Sequence, residues 1–174
     1  MTAEELLRRQ PPHKRSELIK GQLAVREPAG AQHGAVANEL AFRITSHVRA
    51  ANLGRVYAAE TGFKIESDPD TVRAPDVAFI RADRLVEPDP VGFLVIAPDL
   101  VVEVVSRDDK PGEVLAKVGM WLNAGCRLVW VVDTERRVGR IYRSDGSEWV
   151  LEAGGVLEGE GVLPGFSCPL EDIW

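Results

Sequence analysis

Valine fills a short run of this chain, Asp99-Leu100-Val101-Val102-Glu103-Val104-Val105-Ser106, which lies between Pro98 and the polar Arg107-Asp108-Asp109-Lys110. A run of this length and composition predicts a strand buried on both faces. Glu103 breaks the pattern. Side chains alternate along a strand, so Glu103 shares a face with Val101 and Val105. An ionised carboxylate buried there costs several kcal/mol, roughly, unless something compensates it. A basic side chain, a proton or a metal ion could do so.

The 174 residues are most simply one domain with a core of its own. No stretch approaches the ~20 apolar residues of a membrane span, so no membrane partner is expected. The start, Met1-Thr2-Ala3-Glu4-Glu5, lacks a signal-peptide pattern. Cys126 and Cys168 show no metal-ligand or disulfide spacing, and Cys126 reads as a core thiol. A cytoplasmic protein is the expectation. The formal charge of −6 argues against a protein that coats nucleic acid. It leaves room for a nuclease, whose acidic residues hold metal.

Residues 1–14 read as a tail or short helix, and residues 15–174 as the single domain. Leu18-Ile19-Lys20-Gly21-Gln22-Leu23 predicts a hairpin turning at Lys20-Gly21. Val36, Leu40, Ile44 and Val48 recur every four residues, which predicts an amphipathic helix over about 32–52, closed by Asn52 and Gly54. Residues 55–60 and 62–66 read as two short strands or one bent strand, and residues 74–80 as another. Residues 81–98 are a loop rich in proline and charge. Val114, Val118, Trp121 and Leu122 make one apolar face of a helix over about 112–124. Arg127 to Asp133 is a second buried strand. Strand, helix and strand over about 35 residues form a βαβ unit with parallel strands. Ser144-Asp145-Gly146 signals a final hairpin, and the end of the chain reads as loop.

The order α-β-β-β-α-β resembles the core of the PD-(D/E)XK nuclease superfamily, and the residues resemble the Uma-two family of restriction endonuclease-like proteins. The segments that carry the likeness are Arg73-Ala74-Pro75-Asp76-Val77-Ala78-Phe79, the Pro98–Ser106 run, and Lys117 through Asp133 with its Ala124-Gly125. Weaker matches are Glu17-Leu18-Ile19-x-Gly21, His33-Gly34, Thr61-Gly62-Phe63 and Leu163-Pro164-Gly165-Phe166. The resemblance runs from about residue 15 to the end. It implies an α/β (α+β) fold with a mixed central sheet flanked by helices and extra hairpins at both ends.

Two Pro-Asp pairs compete for the superfamily's first acid. Asp99 lies four residues before Glu103 on one strand, about 13 Å away at ~3.3 Å per residue, too far for one ion to bridge. Asp76 lies on a different strand and can converge with Glu103, so Asp76 is taken as the motif aspartate and Asp99 as a residue that opens the strand. The motif lysine, two residues after the second acid, is replaced by Val105. Lys117 is the substitute that the resemblance implies, about 40° around the helix from Trp121. A plain surface ion pair with Glu113, at i, i+4, is the competing reading of Lys117.

The expected chemistry is phosphodiester hydrolysis of DNA with Mg²⁺, for which Mn²⁺ can substitute. Asp76 and Glu103 would hold the ion with the Val104 carbonyl, as the resemblance implies, and Lys117 would orient the water or stabilise the transition state. Glu60 reads either as a further ligand or as a solvated strand-end residue. His33 either approaches a phosphate or metal or simply opens its helix. Ser106 either caps the loop after the central strand or touches the site. Trp121 and Trp130 read as core, and the arginines at 136, 137, 140 and 143 as a solvated surface. A homodimer is expected, since two sites cut two strands. The contrasting reading is a degraded nuclease fold acting as a nucleic-acid-binding or protein-interaction module. A metal hydrolase of another substrate is a third.

Overall fold

The structure is a computed structural model that describes residues 1–8, 15–86, 88–107 and 109–174. A short helix, α1 (Ala3–Arg8), precedes the hairpin β1 (Arg15–Ile19) and β2 (Gln22–Arg26). The turn between them places Lys20 at φ 48° and Gly21 at φ 75°. Two successive positive φ values match the right-handed twist of the flanking strands, and glycine adopts the second without a Cβ clash.

The long helix α2 (Ala31–Ala51) follows. Its buried residues are the four expected from the periodicity, Val36, Leu40, Ile44 and Val48. Asn52 ends it in the left-handed conformation. Then come β3 (Gly54–Ala58), β4 (Phe63–Glu66), β5 (Thr71–Arg73) and β6 (Val77–Arg81). A loop with one 3-10 turn at Ala82–Arg84 leads to β7 (Leu100–Val105), α3 (Pro111–Asn123) and β8 (Leu128–Asp133). The chain closes with the hairpin β9 (Val138–Arg143) and β10 (Glu148–Leu151), the short pair β11 (Val156–Glu158) and β12 (Ser167–Pro169), and a 3-10 turn at Leu170–Ile173.

The central six-stranded sheet has the order β10-β9-β8-β7-β6-β3. β7 and β8 are parallel in the register Glu103↔Val131, while β6 runs antiparallel to β7 with Val77 opposite Val102. A second sheet, β2-β1-β5-β4, carries the N-terminal hairpin. One face of the central sheet packs on α2 through Val77, Phe79, Val102 and Trp130. The other packs on α3 through Ala78, Val101, Val129 and Trp121. This is a mixed α/β fold with helices on both faces of a mixed sheet.

The expected strand over 74–80 is shorter, Val77–Arg81. Pro75 has no N–H to give a ladder, so pairing resumes only at Asp76, whose N–H donates to the Val102 carbonyl at 3.2 Å. Residues 55–66 form two strands that part into different sheets. β5 is not visible in the sequence, because three residues buried on both faces leave no alternation to read. The C-terminal stretch, expected as loop, contributes Leu157, Leu163, Cys168, Leu170 and Ile173 to the core. Cys126 is fully buried, and burial pushes its thiol up to about 12. Among the described residues, no helix is long and apolar enough to cross a membrane.

Candidate active site

β7 delivers Glu103 to the face covered by α3, where it is 5% exposed. Two side chains of α3 meet it. The Lys117 ammonium donates to Oε2 at 2.7 Å, and the Trp121 indole N–H donates to Oε1 at 2.8 Å. Lys117 and Trp121 stand one helical turn apart, so a single helix grips both carboxylate oxygens. Of the three compensations open to Glu103, the protein itself supplies the basic side chain. Glu113 pairs instead with Lys110 at 3.1 Å, so the i, i+4 surface pair with Lys117 does not form.

Asp76 stands where β6 begins, one residue before the pair Val77↔Val102, which sets it opposite Glu103. Its Oδ2 accepts the Val104 N–H at 2.8 Å and lies 3.2 Å from His33 Nε2. His33 comes from the first turn of α2, on the opposite face of the sheet. Val102 and Val104 point their backbone groups to the same side of β7, so the Val104 carbonyl faces the place just before β6 begins. Asp76, Glu103, Lys117, Val104 and His33 therefore gather at one end of the sheet, where β7 finishes and both helices start.

Burial pushes the Glu103 carboxyl above the ordinary glutamate range, against the charge of Lys117, and the charge of Asp76 adds to the rise. Burial also works against an ionised Asp76, but His33, the Val104 N–H and Lys117 outweigh it and hold the group below the usual aspartate range. The two acids of the pair are thus pushed in opposite directions.

Glu60 and Ser106 follow the last residues of β3 and β7. Glu60 lies exposed in the turn that follows β3, at φ 72°, beyond the last paired residue of that strand, Ala58. It leaves the sheet at the same end as Asp76. Ser106 turns into its own loop, with its N–H and hydroxyl both donating to Asp109 Oδ2 at 2.9 and 3.3 Å. Three of the surface arginines are paired, Arg136 with Asp133, Arg140 with Glu148 and Arg143 with Glu160.

Sequence reasoning passed over a second layer of the site. Glu17 on β1 is 4% exposed, and its Oε1 lies 3.7 Å from Lys117 Nζ and accepts the Ala74 N–H at 2.9 Å. Its Oε2 faces Arg73 Nη1 at 3.3 Å and Arg26 Nε at 3.6 Å. Burial raises the Glu17 carboxyl, but Lys117, Arg73 and the Ala74 N–H together bring it below its ordinary value. Arg73 is 2% exposed, and its Nε and Nη1 are buried without a hydrogen-bonded acceptor. A buried donor left unsatisfied costs about 1–3 kcal/mol. Trp121 was expected as core only, and it is both core and a donor to Glu103. The available signal for Glu17 was alternation, which sets a lone acid beside Ile19 on one face of a predicted hairpin strand.

Asp99 sits at the other end of β7 and has a separate task. It is 1% exposed, pairs with Arg84 Nη1 at 2.7 Å and accepts the Arg81 N–H at 2.9 Å. We expect Asp99→Ala to destabilise the fold by about 1–3 kcal/mol in urea unfolding, because the Arg81 N–H loses its acceptor. Any activity per folded molecule should be unchanged, and its selective loss would return Asp99 to the site.

Helices on both faces of a mixed sheet, with two acids from adjacent antiparallel strands facing each other at its end, define a restriction endonuclease-like fold. The chain belongs to the Uma2 (Uma-two) family, described as "Putative restriction endonuclease", whose signature matches residues 3–171. A crystal structure described as a putative nuclease of the DUF820 family, from Anabaena variabilis, superposes with a TM-score of 0.85. It is 20% identical, with 99% of this chain and 97% of that one covered. At that identity the match speaks for the fold. Among curated proteins, none matches the chain.

Proposed function

We propose that this protein is a Mg²⁺-dependent endonuclease that hydrolyses phosphodiester bonds of DNA. The observation that carries the reading is Glu103, a buried acid placed across from Asp76 and gripped by Lys117. The donors suit a hard divalent cation. Asp76, Glu103 and the Val104 carbonyl all offer oxygen, and Mg²⁺ takes one or two carboxylates and fills its other positions with water and substrate. Among the described residues, no three His, Cys, Asp or Glu side chains form a metal cluster, so an all-protein cage of the zinc or calcium kind does not fit. When bound, Mg²⁺ supplies a polarised phosphoryl oxygen and a water of lowered pKa.

The chain's own residues then have distinct parts. Trp121 and Lys117 fix the direction of the Glu103 carboxylate. His33 and the Val104 N–H keep Asp76 ionised and oriented. Lys117 brings a positive charge to a site that excludes most water, where charge developing on the phosphoryl oxygens is stabilised more than in bulk solvent. Two copies of the chain joined as an isologous homodimer would present one site to each strand of a duplex.

A second reading has its own observation. Val105, at the superfamily's lysine position, packs against the apolar cluster under α3 and supplies no charge there. That favours a nuclease fold kept as a nucleic-acid-binding or protein-interaction module. Incubation of the wild type with plasmid and single-stranded DNA, in Mg²⁺, in Mn²⁺ and in EDTA, separates the two. Cleavage that requires the metal is the expected result. Intact DNA in every condition, with no metal binding by calorimetry, would sink the nuclease and favour the module.

A further inference from the structure

Lys117 stands between two buried carboxylates that approach it from different elements. Glu103 on β7 accepts from its ammonium at 2.7 Å, and Glu17 on β1 lies 3.7 Å away. The lysine side chain is itself largely covered, at 17% exposed. The contact with Glu103 is a closed hydrogen bond, and the contact with Glu17 falls short of one by about 0.5–1 Å.

The two oxygens of Glu17 have separate duties. Oε2 faces Arg73 Nη1 at 3.3 Å and Arg26 Nε at 3.6 Å, which anchors the carboxylate on its far side. Oε1 accepts the Ala74 N–H at 2.9 Å and is the atom turned to Lys117. A carboxylate oxygen that accepts one hydrogen bond has a second lone pair, so Oε1 can also receive the ammonium.

Both oxygens of Glu103 are already engaged, Oε1 by Trp121 and Oε2 by Lys117. A divalent ion and an ammonium on that one carboxylate would set two cations against each other where little water screens them. Of the other acids around Lys117, Asp76 would hold the same ion, and Glu113 is turned to Lys110 at 3.1 Å. Glu17 is the acceptor at hand.

We infer that Glu17 is a positioning residue for Lys117: as Glu103 takes up a divalent ion, the ammonium turns from Glu103 to Glu17, which keeps it at the site. Without the ion, Lys117 supplies the counter-charge that Glu103 needs. With the ion in place, the lysine stays charged and ordered beside the acid pair instead of swinging into solvent. Glu17 also binds the Ala74 N–H, two residues before Asp76, so one carboxylate sets both the lysine and the start of the strand that carries the first acid. The inference rests on the reading that Asp76 and Glu103 hold a divalent ion.

The test is calorimetric titration of Mn²⁺ into the full chain, without DNA, for the wild type, Glu17→Gln, Lys117→Met and the double variant. Glu17→Gln removes the charge that receives the ammonium, so an ion arriving at Glu103 displaces a cation with no second partner. It should weaken Mn²⁺ binding about tenfold more in the protein that has Lys117 than in the Lys117→Met protein. A residue that only attracts the ion through space, or only supports the fold, changes both backgrounds alike, and that result would overturn the exchange.

Glu17→Gln also takes a counter-charge from the buried Arg73, so the wild type supplies a second measurement that needs no folded variant. Its crystal structures in EDTA and in Mn²⁺ should differ at Lys117. In Mn²⁺, Nζ should lie within about 3.2 Å of Glu17 Oε1 and outside hydrogen-bond range of Glu103. Lys117 still bonded to Glu103 beside a bound Mn²⁺ would overturn the exchange and leave the nuclease reading standing. Failure of the wild type to bind Mn²⁺ in either measurement would overturn the exchange and the metal site together.

Discussion

Glu103→Gln should abolish most metal-dependent cleavage, with a loss on the order of 10²–10³ or more, while the fold survives. The substitution preserves shape. The glutamine Oε1 can still accept the Trp121 indole N–H, now 2.8 Å from the glutamate oxygen. What disappears is the charge. The Lys117 ammonium loses its partner at 2.7 Å but keeps Glu17 at 3.7 Å, so it is not stranded. Removing a carboxylate that burial already disfavours offsets part of that loss. Stability should therefore stay within about 2 kcal/mol of the wild type. Cleavage rates, calorimetric titration with Mg²⁺ or Mn²⁺, and urea unfolding on the same preparation test the three parts separately. An active Glu103→Gln protein would remove Glu103 from the metal site. An inactive protein that still binds metal as the wild type does would place its role in holding Lys117 rather than the ion.

The sequence exposes the centre of this site better than its surroundings, and the reason is physical. An acid inside a valine run violates a local rule, and a violation can be seen without knowing what lies opposite. The helical face that carries Val118 and Trp121 follows from periodicity, and so does the position of Lys117 on its flank. Pro75-Asp76 is separable from Pro98-Asp99 because extension along a strand is simple geometry. Glu17 and Arg73 belong to β1 and β5, and those strands join each other at Leu18↔Val72 in a second sheet. Nothing local in either segment states that the second sheet folds against α3. Trp121 shows a different limit. Periodicity reports that a side chain is buried, but not that its one polar atom meets a carboxylate. Glu60 follows a strand end in a left-handed turn, a conformation that pattern does not announce for a glutamate.

Lys117→Met should lower cleavage by a factor on the order of 10²–10³ and should also change how stability depends on pH. The methionine keeps the stem's packing and deletes the ammonium. Glu103 then retains the Trp121 N–H but faces the charge of Asp76 without its counter-charge. Removing one partner of a buried ion pair costs about 3–5 kcal/mol when the other stays ionised. Here the remaining group can take up a proton instead, and this fixes the sign. In the wild type the Glu103 carboxyl already lies above its ordinary range. Loss of Lys117 moves it further up. A carboxyl whose folded pKa exceeds its unfolded one, about 4.3 for glutamate, binds its proton more tightly in the folded state. Its contribution to stability is complete below the unfolded value and is lost as pH rises through the folded one. Lys117→Met should thus approach the wild type in stability near pH 4.5 and fall progressively behind it toward pH 8. Urea unfolding of both proteins across that range, in EDTA so that no metal takes the place of the ammonium, measures the difference. A deficit that grows toward acid would mean that Glu103 is not the group left uncompensated. A deficit independent of pH would mean that Lys117 stabilises the fold through its stem alone, and a catalytic loss beside that flat profile would still assign the ammonium to the chemistry.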